Sequence, residues 1–144
     1  MEPTIARAKF LTWFQNTTIL SIEEEIFQDL GLPYQVLNIC SGDLGAPAAK
    51  KYDIEAWIPT QNCYREVTSC SNCTNFQARR AKIKLKPETS NPETQKHSYI
   101  HTLNGTAIAM PRTIVAIMEN FQTKDGKIEI PEVLKPYMVK QPSA

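Results

Sequence analysis

The sequence predicts an α+β fold, an antiparallel sheet flanked by helices. Two segments carry apolar residues at helical spacing, residues 17–30 and the stretch opened by Pro111. Between them lie runs that alternate or are rich in β-formers, at 34–40, 51–58, from 64 onward, and 97–103. No long helical crossover separates the earlier runs, which favours antiparallel pairing. With 144 residues the chain fits one domain.

In the first helix Ile19, Ile22, Ile26 and Leu30 form the apolar stripe, with Glu23, Glu24 and Glu25 facing outward. Gly31 suits the left-handed position after the last turn and Pro33 prevents continuation. Residues 5–14 add a helical turn or two whose Phe10, Trp13 and Phe14 need a surface to cover. The 34–40 run is a strand, followed by turn residues at 41–47. In 51–58, Tyr52, Ile54, Ala56 and Ile58 alternate with Lys51, Asp53, Glu55 and Trp57, so the strand has one buried and one polar face. A turn at 59–62 leads to the strand from Tyr64, and a short turn or helix falls near 72–76. Arg80, Lys82, Lys84 and Lys86 then alternate with apolar residues and predict a strand with a basic face. Residues 87–96 read as an exposed hairpin loop, after which pairing resumes until Asn104-Gly105-Thr106 ends the strand. The last helix carries an apolar stripe of Ile114, Ile117, Met118 and Phe121, and the tail from Val139 frays.

Sixteen basic and fifteen acidic residues leave a net charge of +1, so no global field draws the chain to nucleic acid or membrane and anion binding must be local. The N-terminus has no leader pattern and no apolar run is long enough to span a bilayer, which predicts a cytoplasmic protein. Four cysteines are then read as free thiols. A Gly-rich phosphate loop, a dinucleotide fingerprint and a Gly-x-Ser-x-Gly elbow are all missing.

The run Glu66-Val67-Thr68-Ser69-Cys70-Ser71-Asn72-Cys73 carries the chemistry. It is poor in apolar residues, which argues against a place in the core, and the basic run after it suggests an anionic ligand. A carboxylate with a hydroxyl three positions later, Glu66 and Ser69, offers oxygen ligands for a magnesium nucleotide. Arg112, just inside a helix start, suits a phosphate. Cys70, Cys73, His97 and His101 have a two-plus-two zinc pattern, but 23 residues separate the pairs where a finger has about 12–15. Asp53 and Glu55 share a strand face, as an acid–base pair or merely as solvated carboxylates. The basic row reads as an RNA or phosphate contact, or as a face neutralised by acidic neighbours.

Seven segments together resemble the C-terminal part of a seryl-tRNA synthetase catalytic domain of the bacterial type: 31–34, 42–45, 51–59, 64–72, 76–80, 101–106 and 131–138. The resemblance runs from about Ile19 to Met138 and implies a partial class II aminoacyl-tRNA synthetase catalytic domain over the whole 144-residue chain. It implies activation of serine with ATP and Mg2+, transfer to tRNA(Ser), a homodimer in the full-length family and no membrane. Glu66, Val67, Thr68 and Ser69 fall on the family's ATP-contacting segment, with Glu66 and Ser69 as metal and phosphate contacts. Thr106 falls on the serine-contacting hydroxyl, and Arg112 on the catalytic arginine of the third class-defining motif, which stacks on adenine and reaches the γ-phosphate. The first two motifs, the tRNA-binding arm and the segments that bind the serine amine have no counterpart here. The chain is therefore expected to be inactive alone as a ligase fragment, or to be a non-catalytic paralogue that works as a binding module.

Overall fold

The computed structural model describes residues 3–85 and 98–138, with side chains from residue 17 onward. The side chains of Phe10, Trp13 and Phe14, Lys86, the 87–96 loop, His97 and the tail from Val139 lie outside the described residues.

Helix α1 (Pro3–Leu30) joins the two expected helical segments into one. It stops as its chemistry requires: Gly31 takes φ 69°, and its N–H donates to the Gln28 carbonyl at 3.0 Å. The buried stripe is Leu20, Glu23, Phe27 and Leu30, whereas Ile22 is 54% exposed. The expected stripe was thus rotated by about one residue, and Glu23 points inward. Phe27 and Leu30 anchor the helix to the core, and stepping back by three and four residues from them reaches Glu23 and Leu20.

Four strands follow in the spatial order β1-β2-β3-β4: β1 (Tyr34–Asn38), β2 (Lys50–Ile58), β3 (Cys63–Thr74) and β4 (Thr102–Thr106). Every pairing is antiparallel, as short connections dictate. Ile54, Ala56 and Ile58 of β2 and Val67 of β3 are buried against Phe27, Leu30 and Ala116, so α1 and α3 (Met110–Asn120) cover the same face of the sheet.

Three expectations change here. The 66–73 run is the middle of β3, and Val67, Thr68, Cys70, Ser71 and Cys73 are buried in it. Small hydroxyls and thiols can line a crowded sheet–helix interface that larger side chains would not fit. Of the basic row only Arg80 lies in a helix, α2 (Phe76–Ala81), which Lys82 closes at φ 57°, while Lys84 makes a single antiparallel bridge to Tyr99 in place of a full strand. Strong helix formers, Gln77, Ala78, Arg79 and Arg80, and the burial of Ala78 outweigh the alternating pattern. In α3, finally, Thr113 and Ala116 are buried while Ile114 and Met118 are 49% and 48% exposed. Both ends of that helix are tied to the sheet and set its rotation: Ala109 N–H donates to the Val67 carbonyl at 2.7 Å, and Asn120 Nδ2 to the Trp57 carbonyl at 2.9 Å. No helix among the described residues is long and apolar enough to cross a membrane.

Candidate functional site

The face of the sheet opposite α1 and α3 collects polar side chains by register. Asp53 pairs with Ser69, which pairs with Thr106, while Lys51 pairs with Ser71, which pairs with Asn104. Residues directly opposite share a face, so these six line one surface. Glu66 and Ser69 are three apart, and in a regular strand they would point to opposite faces. The ladder skips at this point: Ile54 pairs with Thr68 and the next residue, Glu55, with Glu66, leaving Val67 as an extra residue. This bulge turns Glu66 onto the face of Ser69 and leaves Val67 and Thr68 buried together on the core side, 0% and 2% exposed.

The second cluster meets the first here. Arg112 Nη1 donates to the Glu66 carbonyl at 2.5 Å and lies 3.8 Å from Glu66 Oε2. Its side chain stays 58% exposed, so the guanidinium remains presentable to a ligand. The α3 start, Glu66 and Glu55 frame a cleft of about 590 Å³ that also takes in Tyr64, Arg65 and Val115. Glu66 and Arg112 thus meet at the cleft, Ser69 and Thr106 pair farther along the same face of the sheet, and the Val67 and Thr68 side chains point to the core.

Lys51 was not singled out from the sequence, although its place in the alternating Lys51-Asp53-Glu55 face was the available signal. Its Nζ bridges Asp53 Oδ2 at 2.9 Å and Glu66 Oε1 at 3.5 Å. Burial works against the ammonium, but the Asp53 and Glu66 carboxylates outweigh it and hold the Lys51 pKa above its ordinary value. Burial raises the Asp53 pKa, Lys51 pulls it back in part, and Glu66 and Glu55 push it up again. Asp53 is only 7% exposed, so it is not one of two freely solvated carboxylates, and its Oδ1 has no hydrogen-bond partner.

A second buried carboxyl lies beneath the sheet. Both oxygens of Glu23 are buried without a hydrogen-bond partner. Burial lifts its pKa to about 7, the Thr68 hydroxyl offsets this in part, and the Asp53 charge adds to it. Gly105 makes room for it, since a Cβ there would meet Ile19 Cγ2 at 3.0 Å and Glu23 Oε1 at 3.1 Å. Cys70 and Cys73 are buried, and burial pushes the Cys70 thiol up to about 11, so it stays protonated at neutral pH.

The described residues thus give an antiparallel sheet with carboxylates and hydroxyls on one face and an arginine-bearing helix at its rim. Residues 14–121 match the model of the tRNA synthetase class II core domain (G, H, P, S and T), and the chain belongs to that family. Within the class, its relatives are serine–tRNA ligases. The enzyme of Dictyoglomus thermophilum is 58% identical over 120 residues, which make up 83% of this chain and 27% of the relative. That of Methanocella arvoryzae is 54% identical over 127 residues, 88% of this chain and 29% of the relative. Among solved structures, seryl-tRNA synthetase from Pyrococcus horikoshii complexed with ATP superposes with a TM-score of 0.79 at 53% identity, covering 88% of this chain and 27% of that one. Cytoplasmic serine–tRNA ligase from Naegleria fowleri in complex with AMP gives 0.80 at 44% identity, covering 88% and 29%. The chain spans a little over a quarter of the length of these relatives.

Proposed function

We propose that the chain is the C-terminal portion of the catalytic domain of a serine–tRNA ligase and supplies one wall of its ATP site. The observation that carries this reading is the bulge at Val67, which places the Glu66 carboxylate and the Ser69 hydroxyl on one face beside Arg112. In the reaction, a serine carboxylate oxygen attacks the α-phosphorus of ATP and pyrophosphate leaves. A 3′-terminal ribose hydroxyl of tRNA(Ser) then attacks the seryl carbonyl of the resulting seryl-adenylate, the acyl–phosphate bond breaks and AMP leaves. Neither step needs a protein nucleophile, so the protein acts by positioning and by neutralising charge.

A carboxylate and a hydroxyl form an all-oxygen donor set that fits a hard cation, which commonly takes one or two carboxylates plus substrate phosphates. Glu66 and Ser69 would hold Mg2+, which when bound neutralises the phosphate oxygens. Lys51 keeps Asp53 and Glu66 oriented and offsets the repulsion between them. The flat face of Arg112 stacks on the adenine and its charge reaches the γ-phosphate, while its tie to the Glu66 carbonyl fixes its starting position. Thr106, beside Ser69, contacts the serine hydroxyl. A homodimer and a cytoplasmic location belong to the same reading.

The test is a chimera. This chain replaces the corresponding span of the Dictyoglomus thermophilum relative, and serine-dependent ATP–pyrophosphate exchange is measured. The chimera exchanges, its Glu66→Gln variant loses about 100-fold or more, and the chain alone shows nearly none. A folded chimera without exchange would favour the non-catalytic paralogue.

A further inference from the structure

The basic run after β3 has no part in the nucleotide site. Along β3 the Glu66 end and the α2 end lie roughly 25 Å apart. Residues 76–85 contain four cations and no acid, in a chain whose net charge is +1, so the rest of the molecule is net acidic. Arg79, Arg80, Lys82 and Lys84 are all exposed, and none makes an ion pair among the described residues. Among the described residues no acidic strand neighbour neutralises this row. The cations also sit over rings. The Arg80 guanidinium lies 3.6 Å from the centre of the Phe76 ring, with Nη1 donating to the Phe76 carbonyl at 3.3 Å, and Lys84 Nζ lies 5.7 Å from the Tyr99 ring. The Arg80 guanidinium is thus held over the Phe76 ring while its side chain stays exposed.

We infer that α2 and the segment through Lys84 form a contact surface for single-stranded RNA. Arg79, Lys82 and Lys84 meet backbone phosphates, and the exposed Arg80 side chain stacks on a base. Ile83 and Leu85, 45% and 54% exposed, add apolar seats for base faces. A helix of six residues is too short to bury an amphipathic face in a membrane, which favours RNA over a lipid surface. The surface adjoins the open face of the sheet: Gln77 accepts from the Thr102 hydroxyl at 2.8 Å, and β4 runs from Thr102 to Thr106. The inference stands on the charge and stacking of this surface rather than on the ligase reading, and its test uses no tRNA and no nucleotide.

Fluorescence anisotropy of a labelled single-stranded RNA of about 12 nucleotides is followed between about 50 and 200 mM KCl. Three neutralised phosphates give a log–log salt slope of about −2. Arg80→Gln with Lys84→Gln flattens the slope by about 0.7, the share of the Lys84 phosphate, and weakens binding further through the lost Arg80 stack. Arg80→Lys keeps the slope but weakens binding several-fold, because it keeps the charge and loses the planar stack. Lys124→Gln with Lys127→Gln changes neither. The inference is overturned by no binding at the lowest salt, by an unchanged slope in the Arg80/Lys84 variant, or by equal binding to a duplex of the same sequence or to anionic vesicles.

Discussion

The two faces of β3 are built from similar residues and do opposite things. Thr68 and Cys70 on one side and Ser69 and Ser71 on the other are all small and polar. Yet Thr68 and Cys70 are sealed under α1, while Ser69 looks onto the face shared by Asp53 and Thr106. Composition does not separate the two faces. The extra residue at Val67 does, by deciding which side Glu66 joins. The buried face then tolerates a carboxyl without a hydrogen-bond partner, Glu23, whereas on the open face Lys51 holds Asp53 and Glu66.

Val67→Asp is the strongest way to break this contrast. It puts an unpaired carboxyl on the packing face at a site that is 0% exposed, at a cost of about 4 kcal/mol or more. We expect loss of cooperative unfolding by circular dichroism. Phe27→Ala comes next, since it empties a fully buried ring site and should cost about 3–5 kcal/mol in denaturant unfolding without moving any open-face residue.

Glu23→Gln probes the buried face by titration. The folded state holds the Glu23 proton more tightly than the unfolded state, with a pKa of about 7 against 4.5. Its contribution to stability is therefore fully present below 4.5, falls as pH rises toward 7 and is level above. The variant should remove that slope and be the more stable protein at high pH by roughly 1–3 kcal/mol, read from urea midpoints across pH. Ser69→Ala should have the smallest effect on stability, within about 0.5 kcal/mol, because its hydroxyl supports no packing.

Much of this fold is legible in the sequence because its signals are local. Gly31 and Pro33 end α1, alternation marks β2, and Pro111 opens α3. The misplaced features are those that only tertiary contact decides. Ile22 and Glu23 exchange inside and outside because Phe27 and Leu30 set the rotation of α1 and Gly105 leaves space for a carboxyl. The basic row splits, because the helical propensity of residues 76–81 and the burial of Ala78 take Arg80 into α2 while Lys84 keeps one bridge to Tyr99. In the candidate site, Glu66, Ser69, Thr106 and Arg112 are recognisable by residue type and resemblance. Lys51 is not, because its importance lies in a cross-strand bridge that no short spacing announces.

The central claim, that the bulge sorts β3 into a packing face and a magnesium-nucleotide face, is tested most directly by calorimetric titration of the chain with ATP, in Mg2+ and in EDTA. We predict binding that weakens about tenfold or more without the metal, a metal dependence abolished by Glu66→Gln and reduced by Ser69→Ala, and no change for Thr68→Val. Equal affinity with and without Mg2+, or a Thr68 variant as damaging as the Glu66 one, would contradict it.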